Sequence, residues 1–138
     1  MRDGRSGRMP IPHEVETVGR AVLDAALTAH RKLGPGLLES VYENCPAHEL
    51  SKAGMRVDQQ LALPVTYDEI WLDVGYRVDL LVHDAVVVEV KATEALTPVH
   101  LAQVLTYLRF SGRRLGFLIN FNTVLVRHNI RRVVWSPP

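Results

Sequence analysis

The chain has 138 residues, 47% of them hydrophobic and 22% charged, with a formal net charge of +1. That is ordinary for one globular domain with a real core. A single cysteine, Cys45, excludes an intrachain disulfide and a cysteine zinc cluster, and no run approaches the roughly 18 apolar residues of a membrane span, so a cytoplasmic protein with no membrane partner is expected.

Residues 1–12 carry basic side chains with no apolar segment after them, which predicts a disordered lead-in rather than a signal peptide, followed by one domain over 13–138. From Pro12 to Leu33, Val15, Val18, Val22, Ala25, Ala26 and Ala29 recur at helical spacing. Glu14 and Glu16 in the first turn and His30, Arg31 and Lys32 in the last suit the helix dipole. A second helix is expected from Leu37 to Ala53, with Glu39, Tyr42 and Glu43 on one face and Tyr42 packing in the core. Pro46 falls inside it and should kink or split it.

Val57 to Tyr67, Ile70 to Val82 and Ala85 to Ala92 read as three strands of an antiparallel meander, turning at Asp68-Glu69 and at His83-Asp84. Pro64 suggests an edge or an irregular end. Thr97-Pro98 is a strong helix start, and Gly112 ends that helix. Leu101, Leu105 and Leu108 are its expected core stripe, with His100, Gln103 and Tyr107 on another face. Leu115 to Phe121, Val124 to Arg127 and Ile130 to Trp135 read as strands, and Trp71 and Trp135 as packing residues. The order α-α-β-β-β-α-β-β predicts an α/β or α+β fold with a central mixed sheet flanked by helices.

Chemistry concentrates in the middle of the chain. Asp79 sits in an apolar run between Val78 and Leu80, where a carboxylate is stranded, paired or bound to a cation. Strand alternation puts Glu89 and Lys91 on one face, about 6.7 Å apart. If the two strands pair, two acids and an ammonium converge, the ingredients of a divalent-metal site. The bland alternative for Glu89 and Lys91 is a surface ion pair. His13, His30, His48, His83 and His128 show no ligand spacing. His100 reads either as a surface or packing histidine or as a substrate contact. After Glu94 there is no Asp or Glu, but there are Arg109, Arg113, Arg114, Arg127, Arg131 and Arg132. That basic third points either to an anionic partner such as nucleic acid or to a solvated arginine face.

Two patterns, Gly36-x-x-Glu39-x-x-Tyr42 and Asp79 followed by Glu89-Val90-Lys91, together resemble the GxxExxY proteins of bacteria and archaea, grouped with the PD-(D/E)XK nuclease superfamily. Gln103 and Tyr107 resemble the Gln-x-x-x-Tyr helix of that superfamily's exonuclease branch, and Leu115 to Asn122 looks like the strand after it. The resemblance spans Ala21 to Trp135. It implies a restriction-endonuclease-like αβββαβ core and a nuclease acting on DNA or RNA. It also implies one or two Mg²⁺ (or Mn²⁺) ions at Asp79 and Glu89, with Glu39 as a further ligand or acting through water. Lys91 would serve the attacking water or the phosphate, with Gln103 and Tyr107 supporting the site. The alternatives are a non-catalytic nucleic-acid-binding module and a protein-interaction module that keep the fold. The small size leaves room for a second copy or a partner protein to complete a substrate groove.

Overall fold

A computed structural model describes residues 9–138; residues 1–8, most of the expected lead-in, lie outside the described residues. Helix α1 (His13–Leu33) and helix α2 (Glu39–Lys52) come first. Strands β1 (Val57–Ala62), β2 (Val65–Tyr67), β3 (Ile70–Leu72), β4 (Arg77–Val82) and β5 (Val86–Lys91) follow. Helix α3 (Pro98–Ser111), strand β6 (Leu115–Asn120), a 3-10 turn (Val126–Asn129) and strand β7 (Ile130–Val134) complete the chain.

Five strands form one mixed sheet in the order β1-β4-β5-β6-β7, with β5 and β6 parallel and the other neighbours antiparallel. The path α2-β1-β4-β5-α3-β6 is the expected αβββαβ core, and the fold is mixed α/β with helices on both faces of the sheet. Helices α1 and α2 cover one face: Val22, Ala26, Tyr42 and Leu50 pack on Leu80, Val82, Val86, Val88, Phe117 and Ile119. Helix α3 covers the other, where Tyr107 and Leu108 meet Leu81 and Val87. Both layers sit close. A side chain on Gly19 would come within 3.0 Å of Leu115, and one on Gly116 within 3.0 Å of Val104 and 3.2 Å of the Val87 carbonyl. Ile11, before α1, packs against the core edge, and the Met9 carbonyl accepts from Arg114. Among the described residues no helix is long and apolar enough to cross a membrane.

Several expectations need correction. Pro46 does not split α2, which runs unbroken from Glu39 to Lys52 with Pro46 buried in it. The lost amide removes one hydrogen bond, but packing of Tyr42, Ala47 and Leu50 on the sheet holds the helix across it. The long strands 57–67 and 70–82 each break. Leu63-Pro64 ends β1, and β2 and β3 pair with each other as a separate two-stranded hairpin inserted in the meander. Proline cannot donate to a ladder, so the interruption falls there. Trp71, expected to pack, is 75% exposed on that hairpin. The segment 124–127 is no strand; Val126 begins the 3-10 turn. In α3 the buried stripe is Val104, Tyr107 and Leu108, while Leu101 and Leu105 are 37% and 44% exposed. The helix is rotated relative to the all-leucine stripe because Tyr107 offers a larger apolar body to the sheet.

Candidate active site

The site grows from an interrupted ladder. Backbone pairing of β4 and β5 runs through Val82↔Val86, Leu81↔Val87 and Leu80↔Val88. One step further, in the same register, Asp79 faces Glu89. There the side chains take over as acceptors: the Asp79 amide donates to Glu89 Oε1 at 3.0 Å, and the Val90 amide donates to Asp79 Oδ2 at 2.8 Å. Each acid thus caps the backbone of the other's strand, which orients both carboxylates into the gap where the strands part.

On the other side of Asp79 the pairing of β1 with β4 also skips a step. Gln59↔Leu80 and Leu61↔Val78 pair, but Gln60, opposite Asp79, has φ of 51°. That left-handed twist turns its side chain across the gap. Gln60 Nε2 donates to Asp79 Oδ1 at 3.0 Å and also to Glu43 Oε1. Gln59 Nε2 donates to the second oxygen of Glu43 at 3.0 Å. The helix acid tied to Asp79 is therefore Glu43. Glu39, one turn earlier, lies exposed at the first residue of α2. Among the described residues no three His, Cys, Asp or Glu side chains form a group that could hold a metal ion.

Glu89 is 2% exposed. Burial, and then the charge of Asp79, push its carboxyl up to about 8; the Asp79 amide and the Lys91 ammonium pull the other way. Lys91 follows on the same strand, half-buried, in register with Asn120 of β6.

From α3, Tyr107 closes the site. Its ring is buried edge-on to Tyr76, with centroids 5.8 Å apart, and Gln103 Nε2 donates to its hydroxyl at 2.9 Å. Burial, then the Glu89 charge, push the phenol up to about 12. Gln103 and Tyr107 also line a cavity of about 320 Å³ with Tyr76, Val99, Ala102 and Thr106. His100 Nδ1 accepts from the Thr97 amide at 3.0 Å and so caps the start of α3.

Sequence reasoning missed three parts of this arrangement. Gln60 gave no signal, because its role depends on a local backbone twist. Glu43 was visible only as a face-mate of Glu39. Asn120 had the better signal, a polar residue at the end of an apolar run. It is 1% exposed, accepts from the Thr93 and Asn122 amides at 3.1 and 3.2 Å, and donates to the Thr93 carbonyl at 2.9 Å. It pins the loop leaving Lys91. The basic third is also less free than its composition suggests. Arg113 pairs with Asp84, Arg132 forks onto both oxygens of Glu16, and Arg114 binds the Trp135 and Met9 carbonyls.

The family model described as the PD-(D/E)XK nuclease superfamily matches residues 16–133. No curated protein and no solved structure matches the chain.

Proposed function

We propose that this chain, which belongs to the PD-(D/E)XK nuclease superfamily, hydrolyses phosphodiester bonds of DNA or RNA at the Asp79–Glu89 pair with Mg²⁺ or Mn²⁺ as cofactor. The observation that carries the reading is the pair of carboxylates held face to face, one deeply buried and proton-retaining, where two strands part. The donor set fits a hard cation. Both ligands are carboxylates, and Mg²⁺ is bound through one or two such groups plus waters and substrate phosphate. Such an ion, when bound, offsets phosphate charge.

Asp79 and Glu89 would hold the cation in place of their retained proton. Lys91, beside Glu89 on the same face, would donate to the attacking water or to a phosphate oxygen. Gln60 and Glu43 keep Asp79 oriented, and Asn120 fixes the backbone beyond Lys91. Glu39, at the start of α2, would add a further carboxylate, as a ligand or through water. Gln103 and Tyr107 wall the site, with the Tyr107 hydroxyl kept neutral and able to donate. The Gly36, Glu39 and Tyr42 pattern supports a place in the GxxExxY group within the superfamily.

The burial of Glu89 and the backbone bonds of both acids also suit a second reading, a nucleic-acid-binding or protein-interaction module in which the acids only brace the sheet. Incubation of the purified chain with Mg²⁺ or Mn²⁺ and with DNA or RNA separates the two. Cutting that disappears in Asp79→Asn and in Lys91→Ala supports the nuclease. Cutting that persists in both variants, or salt-sensitive binding without turnover and indifferent to Lys91, sinks it.

A further inference from the structure

The charged groups at the active end of the sheet are divided unequally. On one rim the β2–β3 hairpin and its exit carry Asp68, Glu69 and Asp73 and no Lys or Arg between Val65 and Tyr76. On the opposite rim, the segment after β6 and the C-terminal half of α1 enclose a cavity of about 420 Å³ lined by His30, Arg31, Val124, Leu125 and Arg127 among others. Arg31 and Arg127 are both exposed. Arg31 reaches only the Thr28 hydroxyl, at 3.5 Å, and neither arginine has a carboxylate partner among the described residues. Nothing from Ala95 to the end of the chain is acidic, so no charge on Arg127's own segment screens it.

The cavity is built, and it is tied to the site. His30 is buried, and its Nε2 lies 3.1 Å from the Phe121 carbonyl and 2.7 Å from the Thr123 carbonyl. Two carbonyl acceptors on one nitrogen require that nitrogen to carry the proton. The imidazole therefore clips the loop to α1 and fixes Arg127 relative to Arg31. Phe121 in turn donates its amide to the Lys91 carbonyl at 2.9 Å. The cavity thus begins where the strand bearing Glu89 and Lys91 ends, over the edge of the sheet from the acid pair.

We infer that this cavity is a second contact for the substrate strand. Arg31 and Arg127 clasp one backbone phosphate, and the exposed Val124 and Leu125 lie against the adjoining sugar or base. The inference rests on the nuclease reading and adds a polarity to it: the nucleic acid crosses the sheet end toward α1 and away from the acidic hairpin. Guanidinium groups suit the task because their planar fork matches a phosphate bidentately.

The test is equilibrium binding of a fluorescent single-stranded oligonucleotide to the full chain in EDTA, where no cutting occurs, over a series of salt concentrations. Arg31→Ala and Arg127→Ala should each weaken binding and flatten the log–log salt slope, and the double variant should flatten it by about 0.7, one phosphate contact on a single strand. Arg109→Ala, on the α3 side, should leave the slope unchanged. Slopes that stay the same in both cavity variants, or that fall equally in Arg109→Ala, overturn the inference. If the wild type cuts nucleic acid but shows such slopes, the nuclease reading survives alone. If the wild type neither binds nor cuts, both fall. Inorganic phosphate or a mononucleotide that competes with the strand equally in wild type and variants also overturns it, whereas competition lost in the variants supports the clasp.

Discussion

The two faces of the central sheet are built to different ends. Under α1 and α2 the packing against the sheet is almost wholly apolar; its largest member, Tyr42, is fully buried, stacks on Phe121 at 4.9 Å, and satisfies its hydroxyl by donating to the Gly34 carbonyl and accepting the Leu37 amide. Under α3 the cover is thinner. There the sheet presents Glu89, Tyr107 of α3 lines an open cavity, and the strand ladder gives way to side-chain bonds. One face supplies folding energy, and the other spends part of it keeping Glu89 dry beside the Asp79 carboxylate. The site lies where the covering helix leaves room, because a carboxylate pair kept dry on the first face would have no route to solvent or substrate.

The largest expected effect tests this division at the site. Asp79→Asn and Lys91→Ala should each reduce Mg²⁺-dependent cleavage by about 10²–10⁴-fold, the range of electrostatic or acid–base contributions, with little change in melting temperature. Next, on the face under α1 and α2, Tyr42→Ala should cost about 3–5 kcal/mol of stability by denaturant titration, while the folded fraction keeps its cleavage rate. If Tyr42→Ala abolished the rate of folded protein, the two faces would not be separable.

Glu89 gives a third comparison, between pH values. Its folded carboxyl titrates near 8, above the ordinary 4.5. The folded state therefore holds a proton that the unfolded chain has lost, and stability is full below about pH 4.5 and falls as pH rises toward 8, by at most about 1.4 kcal/mol per unit. Glu89→Gln should flatten that slope in urea titrations across pH 5–8. Under the nuclease reading, apparent Mg²⁺ affinity should rise with pH over the same window, because binding releases the proton.

Smaller still, Tyr107→Phe should cost about 1 kcal/mol through the lost bond to Gln103. On the outer side of α3, Leu105→Gln should change stability by no more than about 0.5 kcal/mol, and Val104→Ala by clearly more. The reverse order would mean that the leucine stripe, and not Val104, Tyr107 and Leu108, faces the sheet.

That last pair shows where reading the chain stopped. In α3 both stripes repeat at helical spacing, so periodicity could not choose between them; contact with Leu81 and Val87 did. In α2 the local cost of Pro46 was visible, but the packing that outweighs it was not. Pro64 announced an interruption, yet only strand pairing showed that 65–72 leaves the sheet to form its own hairpin. The bond by which His100 caps its own helix was likewise not legible in the spacing.

The sequence by itself determined the helices at 13–33 and 98–111, the adjacency of the strands bearing Asp79 and Glu89, and the alternation that puts Lys91 beside Glu89, because each follows from a repeat of two or 3.6 residues or from a turn signal within a few positions. The tertiary structure alone decided that Glu43 reaches Asp79 through Gln60, that Glu89 is dry enough to keep a proton, and which arginines are neutralised. Those depend on distances between segments far apart in the chain and on the exclusion of water, neither of which is written in any local pattern.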